Sequence, residues 1–208
     1  SPLTEADILR TGTIALCKYN RIMLTSPRSL FKGYRWLDTA VHEFSHLLIN
    51  RITEGVPIWL HEGLARYAET LWRQDSPAKL GPYSESLLAK ALEDDKLVPF
   101  EKMHPSMAKL PSQEMAAQAY AQVYTVILYL VHRKGKNAIP QLLQTIHQGA
   151  PVPDAVARIA GLPFDDFLEA WKRYMKQQKL RYIAGIMPKK HVIKGHAPQK
   201  SKEQKDRE

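Results

Sequence analysis

The segment from Leu37 to Ile52 constrains this chain more than any other. Its apolar residues Val41, Phe44, Leu47, Leu48 and Ile52 recur at spacings of three and four, the period of a helix with an apolar face. Asp38 or Thr39 is a suitable N-cap for that helix. Within it stands His42-Glu43-Phe44-Ser45-His46. Two histidines four residues apart share one face of a helix, a single turn from each other. Glu43 is displaced about 100° around the axis from His42, so it reaches the same space from the side.

The rest of the chain reads as helices around this one. Gly55 and Pro57 break the first helix, and a second is expected over about 58–73. Upstream, residues 13–16 and 22–25 are β-leaning runs separated by the polar Lys18-Tyr19-Asn20-Arg21, a pattern that predicts a β-hairpin ended by Pro27. A short lead-in helix is expected over residues 3–11. Further helices are expected at about 84–94, at 112–134 with Gly135 as C-cap, from Asn137 to about 148, at 153–160 before Gly161, and from Phe164 to about 182. The fold class is α+β, mainly α: one domain over residues 1–182, with a small N-terminal β-hairpin and a C-terminal helical part. Residues 183–208 are expected to form a basic, disordered tail. Between Lys189 and Glu208 seven Lys or Arg face three Asp or Glu, a contribution of +4 to the net charge of +9.

Composition removes several alternatives. No apolar run reaches the 18 residues that a membrane-spanning helix needs. The single cysteine, Cys17, excludes an internal disulfide framework and a cysteine-rich zinc site, and reads as a small apolar filler in a strand. The basic charge suits an anionic surface or an acidic substrate. Interleaved basic and aromatic motifs are lacking, so no nucleic acid is expected as a partner. The chain opens on Ser1-Pro2, which is compatible with removal of a leader. The expectation therefore leans to the bacterial envelope, the periplasm or secretion over the cytoplasm.

The two histidines suit a zinc ion, which takes nitrogen ligands at about 2.0–2.1 Å and lowers the pKa of a water to around 7. Glu43 could take the proton from that water and return it to a leaving amine. The second helix carries Trp59-Leu60-His61-Glu62-Gly63-Leu64-Ala65-Arg66-Tyr67 and can direct a carboxylate back at the histidines.

His42–His46 followed by Trp59–Gly63 resembles the gluzincin metallopeptidases, which include thermolysin, the aminopeptidase-N-like enzymes and the peptidase MA-like domains. Their pattern is a His-Glu-x-x-His helix and then a Trp-Leu-x-Glu-Gly helix whose Glu is the third zinc ligand. The resemblance spans roughly residues 10–182. It implies one zinc ion held by His42, His46 and Glu62, with Glu43 as general base. The 15 residues between His46 and Glu62 form a shorter connection than in thermolysin-type enzymes. Ala119-Tyr120-Ala121-Gln122 is similar to the family's next helix, where a tyrosine binds the tetrahedral intermediate. This implies that role for Tyr120, with Tyr124 as the reserve.

Two further residues are candidates to contact the metal ligands from behind. His61 competes with Glu62 as third ligand, but neighbours on a helix point about 100° apart, so both cannot bind one metal. Glu69, seven residues after Glu62, could accept the other ring proton of a metal-binding histidine. The expected activity is hydrolysis of a peptide or protein substrate. The family's amine-binding element is not found ahead of His42, so endopeptidase action is expected over aminopeptidase action. A zinc-stabilised binding module with weak or no turnover is the alternative.

Overall fold

A computed structural model describes residues 14–18, 21–74 and 76–186. The expected lead-in helix over residues 3–11 and most of the tail lie outside the described residues. Two strands, β1 (Ala15–Lys18) and β2 (Arg21–Leu24), pair antiparallel with Lys18 opposite Arg21. The hairpin is as expected, but its strands extend into the polar segment assigned to the turn. Polar side chains suit a strand with a solvated face, so polarity did not mark the strand end.

Seven α-helices follow among the described residues: α1 (Trp36–Ile52), α2 (Ile58–Ala68), α3 (Pro82–Glu93), α4 (Gln113–Lys134), α5 (Ala138–His147), α6 (Val152–Ala160) and α7 (Phe164–Gln177). Short 3-10 turns at Pro27–Ser29, Phe100–Met103 and Met107–Lys109 link them. The class is α+β and mainly α, as the sequence predicts.

Helix α4 is the central element. Ala119, Val123, Val126, Ile127 and Leu130 are buried, because α4 is covered on most sides by α2, α3, α5, α6 and α7. Its ends follow the sequence rules. The Ser112 hydroxyl accepts the Met115 N–H at 3.0 Å, and Gly135 closes the helix at φ 79°. Gln122, buried in α4, pairs with both backbone groups of Val98, so its amide is satisfied. Trp59 stacks on Phe100 at 4.6 Å between ring centres, and Trp171 is buried with its indole N–H on the Thr125 hydroxyl.

Helix α2 lies close against α4 at Gly63. A Cβ built on Gly63 would stand 2.8 Å from Ile127 Cγ1 and 2.9 Å from the Val123 carbonyl oxygen. Only glycine fits there, and the close approach brings the neighbouring Glu62 to the α4 side of the site.

Three expectations need correction. Asp38 is not the N-cap of α1; Arg35 is, without a side-chain bond. Asp38 is buried in the first turn, where it accepts the Trp72 indole N–H and two Arg73 N–H groups, all at 2.9 Å. Helix α2 stops at Ala68 rather than near residue 73, because Trp72 and Arg73 turn to reach that carboxylate. Trp72 is accordingly half exposed. Helix α7 ends at Gln177 rather than near residue 182. The chain past Lys179 (φ 50°) is drawn to α3, where Glu85 takes Arg181 and Ser86 takes the Ile183 N–H.

Candidate metal centre

Helices α1 and α2 pack together and bring three donor atoms to one point. His42 Nε2 lies 3.2 Å from His46 Nε2 and 3.2 Å from Glu62 Oε2, and His46 Nε2 lies 3.7 Å from the same oxygen. The corners of a tetrahedron with arms of 2.0–2.1 Å are about 3.3–3.4 Å apart, so this triangle has the size that zinc requires. Glu62 Oε2 is buried and, among the described residues, accepts no hydrogen bond of good geometry, its close polar neighbours being the two imidazoles. A buried carboxylate oxygen without a partner is costly, and a cation between it and the two imidazoles would satisfy all three groups. Both the donor set and its spacing therefore fit a metal ion.

The electrostatics agree with one positive charge being needed at this point. Burial alone would push the His42 imidazole down, but Glu62 and Glu69 outweigh it and raise His42 to about 9. Burial dominates at His46 and holds it at about 4, with His42 and His61 adding to the fall against Glu62. One proton on His42 thus supplies the charge that the three converging groups call for. Glu62 is held below the ordinary carboxylate range: burial opposes this, and the close contact with His42, with the charges of His46, His42 and His61, overcomes it.

The outer ring of contacts is built from the same two helices. Glu69 Oε2 lies 3.5 Å from His42 Nδ1, the nitrogen turned away from the triangle. Arg66 Nη1 lies 2.6 Å from both oxygens of Glu69 and fixes that carboxylate. His61 is buried, with its Nδ1 3.3 Å from His46 Nδ1. It therefore touches the back of a candidate ligand and is not a third donor, as the 100° rule anticipates. If His46 presents Nε2 to a metal, its Nδ1 carries the proton and His61 accepts it.

Glu43 lies beside the triangle and not in it. Burial raises its carboxyl above the ordinary range, the Glu62 charge adds to the rise, and His42 and the Cys17 backbone N–H oppose it. Strand β1 thus reaches the site through a main-chain donor. Tyr120 of α4 is mostly buried and makes no hydrogen bond with a described residue. Burial, with the charges of Glu62 and Glu43, keeps its phenol far above its ordinary range, so it is a proton donor at neutral pH. Tyr124 is different, since its hydroxyl is bonded to the Ala78 carbonyl.

Arg66 and Cys17 are the members of this group that sequence reading missed. For Arg66 a signal existed in the i,i+3 spacing to Glu69. For Cys17 none did, because its contribution is a backbone N–H that any residue supplies.

Residues 7–177 match the family model described as the Peptidase MA superfamily. No curated protein and no solved structure matches the chain.

Proposed function

Since the chain belongs to the Peptidase MA superfamily, we propose that it is a zinc-dependent peptidase of gluzincin type, with His42, His46 and Glu62 as metal ligands. The observation that carries this reading is the convergence of His42 Nε2, His46 Nε2 and the buried Glu62 Oε2 at 3.2–3.7 Å from one another, close to tetrahedral spacing. A zinc ion held there would supply Lewis acidity, lowering the pKa of a water and drawing charge from a carbonyl.

The chain's own residues do the rest. Glu43, its carboxyl raised above the ordinary range by burial, takes the proton of the attacking water and delivers it to the leaving nitrogen. Tyr120 keeps its proton and donates a hydrogen bond to the oxygen on which charge develops. Glu69 and His61 hold the two imidazoles in register, and Arg66 holds Glu69. Strand β1, whose Cys17 N–H already touches Glu43, is placed to pair with an extended peptide. Residues 14–37 contain no Asp or Glu, so nothing in that stretch would bind a free α-amine. This favours internal peptide bonds as the substrate.

The test is metal analysis combined with cleavage of a peptide library. The wild type should hold one zinc per chain and cut internal bonds. Glu43→Gln should hold the same zinc while kcat falls by about 10²–10⁴. Turnover by Glu43→Gln at the wild-type rate would sink the mechanism. A zinc-replete wild type that cleaves nothing would leave the fold as a metal-stabilised binding module.

A further inference from the structure

The connection that feeds α1 carries a surface with no role in the site above. Residues 14–37 hold Lys18, Arg21, Arg28, Lys32 and Arg35 against no acidic residue. Arg21, Arg28, Lys32 and Arg35 are exposed, and the first three make no ion pair with a described residue. Among them Phe31 is fully exposed and Trp36 is 46 % exposed, so residues 28–36 do interleave cations with aromatics, which corrects the sequence expectation that such a motif is lacking. The loop is tied, so this exposure is built in. The Tyr34 hydroxyl bonds the Thr25 carbonyl, Gly33 N–H bonds the Leu30 carbonyl at 2.9 Å, and Gly33 adopts φ 58°.

The surface continues along the helix. Leu37, Phe44, Leu48 and Ile52 are all exposed. At 100° per residue they fall within an arc of about 80°, and His42 and His46 point to the opposite side of α1. Arg51 flanks the stripe near its far end and is exposed. An apolar stripe that no other described element covers, with a basic border and no acid within it, has few suitable partners. Nucleic acid would pair with the cations but gain nothing from Leu48 or Ile52. A second copy across a two-fold axis would set one basic loop against another, with no acidic group to receive it.

We propose that this face binds the surface of an anionic phospholipid bilayer. Helix α1 lies along the headgroup plane, Phe31 and Trp36 enter the interface, and Arg28, Lys32, Arg35 and Arg51 meet the phosphates. The metal triangle then faces away from the lipid, which leaves the cleft open.

The full chain should sediment with vesicles of equal parts phosphatidylcholine and phosphatidylglycerol, and not with phosphatidylcholine alone. Added salt should weaken binding without abolishing it, since the apolar contacts are not screened. Each basic side chain near anionic lipid strengthens binding about fivefold, so Arg28→Glu with Lys32→Glu should weaken it well over tenfold. Phe31→Ser with Leu48→Ser should also weaken it about tenfold or more. Both pairs lie outside the metal site, so zinc content and melting temperature should stay at wild-type values. Absence of binding to the phosphatidylglycerol vesicles, or binding that neither pair weakens, overturns the proposal. So does a dimer of the free protein that Phe31→Ser with Leu48→Ser dissolves, or retention on duplex DNA with the same sensitivity to Arg28→Glu.

Discussion

Tyr120 and Tyr124 stand one helical turn apart on α4, and the difference between them lies in what their hydroxyls meet. Tyr124 is committed to the Ala78 carbonyl, whereas Tyr120 has no hydrogen-bond partner among the described residues and lies within the field of Glu62 and Glu43. Replacing each with phenylalanine separates the two roles. Tyr120→Phe should lower kcat by about 10²–10³, the cost of losing one donor to a developing oxyanion, with zinc content and melting temperature unchanged. Tyr124→Phe should cost about 1 kcal/mol of stability and leave kcat alone. Steady-state kinetics beside thermal denaturation of both variants checks the pair. The sequence could rank these tyrosines but not separate them, because they share a helix face and differ only in a contact 46 residues away. His42 and His46 were legible for the opposite reason. The i,i+4 spacing within one helix fixes where the two histidines point, and Glu62 was legible through the likeness of Trp59–Gly63 to a known ligand-bearing helix. His61 was partly legible: helix geometry excluded it as a donor, but not until α1 and α2 dock does it meet His46.

At the scale of elements, the helices were legible where a local signal ends them and misread where a distant partner does. Ser112 and Gly135 bound α4 as the sequence rules state. Helices α2 and α7 end early because Arg73 and Arg181 are drawn to Asp38 and Glu85 on other helices, contacts that no local pattern announces. Gly63 shows how an element sets the site. Gly63→Ala would place a methyl against the Val123 carbonyl, which cannot yield as a side chain can. The gain in helix propensity, about 1 kcal/mol, opposes an overpacking cost of about 1–3 kcal/mol. The variant should melt below the wild type and hold zinc more weakly, since α2 must shift and carry Glu62 with it. Gly81→Ala, with nothing within 4 Å of its Cβ, should show neither effect. The Asp38 clamp gives a second prediction at this scale. The hydrogen bond from Arg73 holds the Asp38 carboxyl below its ordinary range against the opposing effect of burial, with Trp72 adding to the fall. A depressed folded pKa means stability that is present above the unfolded value and lost as pH falls through the folded one. Asp38→Asn should therefore melt below the wild type at neutral pH. The gap should close only under acid conditions, below about pH 4. A gap that persists at low pH would show that Asp38 acts by shape alone.

The molecule as a whole is unevenly held together, and this decides what metal does to it. Seven residues of α2 and ten of α4 are buried, but in α1 only Asp38 and Ile49 are. Helix α1 is thus held by half-buried packing on the hairpin, α2 and α5, by the Asp38–Arg73 pair and by whatever joins His42 and His46 to Glu62 on α2. On the reading proposed above, zinc supplies that joint. Ligand that binds only the folded chain stabilises it by about 4 kcal/mol at a free concentration 1,000 times its Kd. For a chain of this size each kcal/mol moves the melting point by about 2–4 °C, so saturating zinc should raise it by about 8–16 °C. Glu62→Gln leaves two ligands on one helix and removes the link between helices, so its zinc-dependent rise should fall to less than half. Amide hydrogen exchange locates the effect. Zinc should slow exchange most in α1 and hardly at all in the central part of α4, whose protection comes from apolar burial. Equal slowing throughout, or an undiminished rise in Glu62→Gln, would mean that the ion does not bridge the two helices, and the third ligand would then have to be sought elsewhere than Glu62.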